Sequence, residues 1–146
     1  MFLAALSCAP ARHEAAPPPA EVARPAGIEM FLPGIPSAHV AEVLRVRMTA
    51  DGFAERSAND VLVFTKLNNR LAARIIFRGR TRAPLVNRLE FRRVETPAGT
   101  WLINRTAVVT DFGLPAEKSH DVTARAREDM TTFLGEIRDA CGRKNP

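Results

Sequence analysis

Proline is distributed unevenly along this chain, and its distribution sets where a folded domain can lie. Seven of the eleven prolines fall between Ala9 and Pro36. Proline fixes φ and lacks a backbone N–H, so such a segment favours extended, polyproline-like backbone at roughly 3 Å per residue. We predict a linker over 9–36, a folded domain over 37–142 and a short tail over 143–146. The domain, of about 110 residues, is long enough for a single modest core.

One apolar stretch, Ile28-Glu29-Met30-Phe31-Leu32, interrupts this linker. Its length and composition suit a short strand that docks on the domain. Pro33-Gly34 would end that strand, because neither residue favours a strand interior.

Two segments carry the apolar spacing of amphipathic helices. Val40, Val43, Leu44 and Met48 follow i, i+3, i+4, i+8 spacing, which predicts a helix over 38–51. Ser37 would be its N-cap, and Gly52 lies just past its end. A second helix is predicted over 121–141, capped by Ser119 or Asp121 and stopped by Gly142. Its apolar stripe consists of Val122, Ala126, Met130, Phe133, Leu134, Ile137 and Cys141.

Four β-rich runs lie between these helices. A hairpin around Asn59-Asp60 joins Phe53–Ser57 to Val61–Thr65, and a turn at 97–99 joins runs over 85–94 and 101–110. Because the links are short, we expect antiparallel pairing. Alternation along the last two runs indicates that Phe91 and Trp101 both face the core. The predicted fold is α+β: a two-layer sandwich with a four-stranded antiparallel sheet, N- and C-terminal helices on one face (αββββα) and a short inserted helix.

The inserted helix is predicted within the segment Lys66 to Arg82, in the most basic part of the chain. From Lys66 to Arg93 there are nine basic residues and one acid. Leucine or isoleucine recurs every four residues between 67 and 75, and arginine does so between 70 and 78, which indicates a basic amphipathic helix. We predict that its cations contact anionic lipid headgroups or an acidic protein partner; they are Arg70, Arg74, Arg78, Arg80 and Arg82. Alternatively, this helix only completes the core, and its charges form a solvated face paired with the acidic C-terminal segment.

The sequence contains no pattern that predicts catalysis, a metal or a cofactor. The histidines at 13, 39 and 120 are far apart and lack companions at metal-ligand spacing. Glu128 and Asp129 are adjacent on a predicted helix and therefore diverge. Asp111-Phe112-Gly113 matches a kinase tripeptide without the other kinase motifs. Cys141 has no base in register to activate it. We predict that the chain is not an enzyme.

The start of the chain resembles a lipidation signal. Cys8 follows the apolar run Met1–Leu6 and the small residue Ser7, and the proline-rich segment comes directly after it. A complete secretion signal would also have a basic n-region and a longer apolar stretch, which an upstream start would supply. Two alternatives remain open: a disordered terminus that happens to contain a cysteine, or a disulfide between Cys8 and Cys141 in an oxidising compartment.

With Ser7-Cys8, the stretch from Met48 to Phe64 and the strand Thr106–Thr110, the order of segments resembles small bacterial lipoproteins of uncharacterised function. This resemblance implies lipidation at Cys8, location in the cell envelope facing the periplasm, and a non-catalytic binding or scaffolding domain without a cofactor. It implies no catalytic residue. The alternative is a cytosolic basic module that binds nucleic acid, consistent with the net charge of +5. The predicted burial of Phe91 and Trp101 argues against it, because base stacking needs exposed aromatic rings.

Overall fold

The computed structural model describes residues 27–57, 60–68 and 84–143. Within these ranges the chain forms two helices and one sheet of six strands, all paired antiparallel. In chain order the elements are β1 (Ile28–Pro33), α1 (Ser37–Ala50), β2 (Ala54–Glu55), β3 (Val61–Leu67), β4 (Val86–Thr96), β5 (Gly99–Thr110), β6 (Lys118–Asp121) and α2 (Arg127–Gly142). The domain is therefore α+β, as predicted.

The sheet is larger than the four strands predicted from the sequence. Its order is β1-β5-β4-β3-β2, and β6 also pairs with β5. The twelve-residue β5 pairs with β4 along one edge, while β1 and β6 share the other edge. Between the parts of β5 that pair with β1 and with β6, the hydroxyl of Thr123 accepts a hydrogen bond from the N–H of Thr106 at 3.0 Å. The long free edge of β5 explains the two extra strands, because its unpaired backbone groups need partners.

The apolar stretch inside the predicted linker docks as β1. Its register runs from Ile28 opposite Asn104 to Pro33 opposite Gly99. Ile28 and Leu32 are buried in the core. The sheet thus begins within the segment 9–36, before residue 37.

The second helix begins later than predicted. Ser119 and Asp121, the expected caps, lie in β6, and α2 starts at Arg127. Asp121 pairs opposite Ala107 in the sheet, and its carboxylate accepts the N–H of Thr123 at 2.8 Å. A short polar residue of this kind favours either a helix cap or a turn, and here the free edge of β5 decided between them. At α1 the difference is one position, since Pro36 is the N-cap and Ser37 the first helical residue.

Both helices pack on the same face of the sheet, which we call the inner face. At its centre the Phe91 ring is fully buried, with its centroid 6.0 Å from that of Phe64 and 6.1 Å from that of Phe133 in α2. The other fully or almost fully buried core residues are Leu32, Val40, Leu44, Met48, Leu62, Leu102, Leu134 and Ile137. Each such side chain contributes about 1.5 to 3 kcal/mol by leaving water. The opposite face of the sheet, away from this core, is the outer face.

The prediction that Trp101 faces the core with Phe91 is wrong. Phe91 lies opposite Asn104, so the even-numbered residues of β5 share its face, and Trp101 points to the outer face. The alternation of β5 predicted the wrong face because Asn104 is polar and yet completely buried on the inner face. Its carbonyl oxygen accepts the hydroxyl of Thr106 at 3.0 Å, and its amide lies 3.4 Å from the carbonyl oxygen of Glu90. A buried amide with such partners can occupy a core position.

Several predicted features lie outside the described residues. These are Cys8, the greater part of the linker, and the arginines at 70, 74, 78, 80 and 82. The inserted helix was predicted from position 66 onward, but Lys66 and Leu67 belong to the end of β3.

Candidate functional site on the outer sheet face

The outer face of the sheet is the surface that α1 and α2 leave uncovered. At one end of it the rings of Phe31 and Trp101 lie side by side, with centroids 5.1 Å apart and planes at 41°. β1 and β5 position them, because the two residues are direct cross-strand partners. Val94, the partner of Trp101 on β4, extends the row and is 38 % exposed. This end of the face is an aromatic and apolar row.

A loop over 111–117 lies at the opposite end of the outer face. It begins with a tight turn in which Asp111 has φ of 51° and Gly113 has φ of 77°, and the N–H of Leu114 donates to the carbonyl of Asp111 at 3.0 Å. The Asp-Phe-Gly tripeptide forms this turn. Positive φ is tolerated by aspartate and is natural for glycine. The turn places Phe112 at the rim of two surface depressions that residues of β3 and β4 also line.

Glu117 holds this loop against the sheet. Its carboxylate accepts a hydrogen bond from Nη2 of Arg88 at 2.7 Å and another from the N–H of Gly113 at 2.9 Å. These two donors, the Gly113 N–H first and Arg88 second, lower the pKa of the Glu117 carboxyl. Arg88 projects from β4 and is about one-fifth exposed, at 22 %. The carboxylate is therefore held by one backbone and one guanidinium donor.

An open groove of about 440 Å³ lies beside Phe112. Val63 and Thr65 of β3 form part of its lining, and Arg56 and Arg88 bring cations to it. A second groove, of about 410 Å³, also borders Phe112 and Thr65. Phe112 and Thr65 thus border both depressions. The combination of an aromatic ring, a β-branched side chain and a few polar donors is typical of ligand sites.

The charges around the first groove are unequally compensated. Glu90 also lines it and lies opposite Arg105 on β5, but within the described residues Arg105 pairs with Asp121, at 3.4 Å, rather than with Glu90. The pKa of Asp121 is lowered, first by hydrogen bonds from Thr123 and then by Arg105.

Arg56 differs from Arg88 and Arg105, each of which forms an ion pair with a carboxylate. Among the residues that the structure describes, no carboxylate forms an ion pair with it. Arg56 is therefore the groove cation that is available to an external anion.

The residues considered for chemistry in the sequence do not converge. His39 lies in the first turn of α1, and His120 lies in β6, where its Nε2 is 3.4 Å from the hydroxyl of Thr110. Cys141 is a free thiol on the buried side of α2, and burial raises its pKa. Within residues 27–57, 60–68 and 84–143, no group of three or more His, Cys, Asp and Glu side chains is placed to hold a metal ion.

The residues that the structure brings together on the outer face were not predicted from the sequence. Phe31 and Trp101 meet only through the β1–β5 register, and Glu117 reaches Arg88 across 29 positions of the chain. One signal was available for the loop: an Asp-Phe-Gly turn followed four residues later by a glutamate. That spacing lets the carboxylate return to the glycine N–H.

Comparisons with known proteins do not assign this chain to a family. Neither a scan against protein-family models nor a search of curated proteins finds a match for this chain. Among the described helices, neither has the length and apolar character needed to cross a bilayer.

Proposed function

We propose that this chain is a bacterial lipoprotein of the cell envelope, anchored in a membrane through Cys8 and facing the periplasm. Its α+β domain would bind or scaffold a partner rather than catalyse a reaction. Arg70, Arg74, Arg78, Arg80 and Arg82 would reinforce the anchor on anionic headgroups, because a single acyl chain binds membranes only weakly. An acidic protein is the alternative partner for these arginines.

The observation that supports this proposal most directly is the state of Cys141. It is a free thiol, 8 % exposed, and it packs in the core with Leu134 and Ile137. Burial raises the pKa of this thiol and keeps it in its less reactive protonated form, which disfavours the disulfide with Cys8. The Ser7-Cys8 pattern, followed by a proline-rich segment and then by β1, fits an anchored domain.

The intact mass of the protein, recovered from membranes of its native host, tests the anchor. We expect a mass increment of lipid size on Cys8, and we expect a Cys8→Ala variant from the same locus to lose both the increment and the salt-resistant membrane association. Weak association of the variant that survives only at low salt would come from the basic segment, since screening removes it. An unmodified, soluble wild-type chain that begins at Met1 would refute the anchor.

One observation favours a second candidate, a nucleic-acid-binding module. The Phe31–Trp101 pair lies on the outer face, and Arg92 and Arg105 project from the same face nearby. Aromatic rings beside cations are the usual platform for single-stranded nucleic acid. The structure thus removes the objection of aromatic burial for Trp101, whereas Phe91 is fully buried. The lipoprotein proposal remains the first, because of Cys8.

Trp101 is the only tryptophan, so its fluorescence reports on this candidate directly. If the chain binds single strands, an oligonucleotide will quench Trp101 at low salt, and the affinity will fall steeply as salt rises. Phe31→Ala should weaken this binding by roughly tenfold, in line with the loss of one stacked base. Phe112→Ala, at the other end of the face, is the matched control and should have little effect. Absence of quenching at low salt would exclude this candidate.

A further inference from the structure

The position of the Glu117 carboxylate defines an anion site that the chain fills with its own residue. The site has two donors from different elements, the guanidinium of Arg88 on β4 and the N–H of Gly113 in the loop over 111–117. Charge-assisted hydrogen bonds of this kind are stronger than neutral ones. Backbone N–H groups at a turn that contains left-handed residues form a concavity suited to anions. The Glu117 carboxylate therefore shows that these donors bind a carboxylate group.

The groove next to this site has the properties of a continuation of it. Arg88 and Gly113, the two donors to Glu117, also line the groove of about 440 Å³. Arg56 supplies a further guanidinium that has no ion pair among the described residues, and together with Arg88 it outnumbers the one carboxylate of the groove lining, Glu90. Phe112 and Val63 supply apolar surface beside these donors. A molecule that placed an acid group among the donors would lay its body against Phe112.

We propose that this groove binds a ligand with a carboxylate and an apolar ring or chain, and that Glu117 is an internal competitor for the same donors. The external carboxylate pairs with Arg56 and displaces Glu117 from Arg88 and the Gly113 N–H. Its apolar body covers Val63 and the Phe112 ring. The inference rests on the binding role proposed above and is independent of the anchor at Cys8.

The competition gives a direct test with the full chain and phenylacetate as the probe. Amide chemical shifts of Gly113, Val63 and Thr65 are followed by NMR during titration, in the wild type and in Glu117→Ala. Removal of the internal carboxylate should raise the affinity for phenylacetate by about tenfold, the size expected for a released charge-assisted hydrogen bond. Glu117→Gln keeps the shape of the side chain without its charge and should give a smaller gain.

Two controls separate this site from unspecific binding. Phenylacetamide has the same ring without the charge, and acetate has the charge without the ring; both should bind more weakly than phenylacetate. Arg88→Gln in the Glu117→Ala background should abolish the gain, and Arg56→Gln should weaken binding in both backgrounds. Unchanged amide shifts in β1 and α2 verify that each variant is folded.

Three results would overturn the proposal. These are equal phenylacetate affinity with and without Glu117, equal affinity for phenylacetamide, or shift changes confined to another surface. Because the purified chain reports only on the groove, a failure here leaves the membrane measurement at Cys8 unaffected. Conversely, a wild-type chain without lipid on Cys8 would refute the anchor and would leave the result of this titration unaffected.

Discussion

Phe91→Ala should lower the free energy of unfolding by about 3 to 5 kcal/mol, the range for truncating a buried phenylalanine. Phe91 is completely buried and lies between Phe64 of β3 and Phe133 of α2. Its removal leaves a cavity where the sheet meets the helix layer, and the surrounding strands cannot close it without breaking their register. Urea denaturation followed by circular dichroism measures the loss. For a domain with a total stability of about 5 to 15 kcal/mol, this is a large fraction.

Arg92→Ala is the matched control on the same strand. Arg92 is exposed on the outer face, and within the described ranges no carboxylate pairs with it. Its truncation should change the stability by no more than about 0.5 kcal/mol. Equal losses in the two variants would show that Phe91 is not at the centre of the core. A loss of less than about 1 kcal/mol for Phe91→Ala would lead to the same conclusion.

Gly99→Ala should destabilise the domain by at least about 2 kcal/mol. Gly99 has φ of 143° at the start of β5, where a side chain is strained by about 1 to 3 kcal/mol. An added Cβ would also collide with the carbonyl oxygen of Leu32 and lie 2.8 Å from the N of Gly34. Both atoms are backbone and cannot move aside as a flexible side chain would, so crowding costs about 1 to 3 kcal/mol more.

The collision is with β1 and its exit, so the damage should begin there. If β1 moves away from β5, Phe31 leaves Trp101, and the tryptophan emission should shift to longer wavelength at denaturant concentrations below the global transition. Gly135→Ala in α2 is the opposite control. Nothing lies within 4 Å of the added Cβ at this helical position, so alanine should stabilise the domain by about 0.5 to 1 kcal/mol. A Gly99→Ala variant as stable as the wild type would contradict the close approach of β1 to this turn.

Local signals in the sequence predicted much of the fold. The i, i+3, i+4 spacing located α1 to within one residue at each end, and the stripe ending in Leu134, Ile137 and Cys141 predicted the face of α2 that is buried. The turn at 97–99 predicted the hairpin of β4 and β5. These features depend on residues that are close in the chain or that recur on one face of an element. The spacing of apolar residues in the sequence therefore predicts them.

The number of strands could not be predicted in the same way. β6 has the sequence Lys118-Ser119-His120-Asp121, which contains no apolar alternation, and it is a strand because β5 leaves an edge free beside it. Edge pairing satisfies backbone groups whatever the side chains are. Ser119 and Asp121 were predicted as helix caps, but both residues pair with β5 as part of β6.

The candidate site shows the same division. The Asp-Phe-Gly turn and the presence of Glu117 are visible in the sequence, but the pairing of Glu117 with Arg88 is not. Trp101 was assigned to the wrong face because both alternating sets of β5 contain apolar residues around Leu102, and the buried Asn104 belongs to the inner set. A one-residue change of face exchanges every side chain of a strand between core and surface.

The sequence by itself determined the α+β class, the position of α1, the buried face of α2 and the main hairpin, and it places Cys8 and five of the eleven prolines ahead of β1. The tertiary structure decided that Phe31 and Trp101 face outward, that Arg56 lines a groove without an ion pair among the described residues, and that Glu117 meets the donors of Arg88 and Gly113. Helix faces and tight turns arise from neighbours in the chain. The outer face is assembled from β1, β3, β4, β5 and a loop, and only the strand register brings their side chains together.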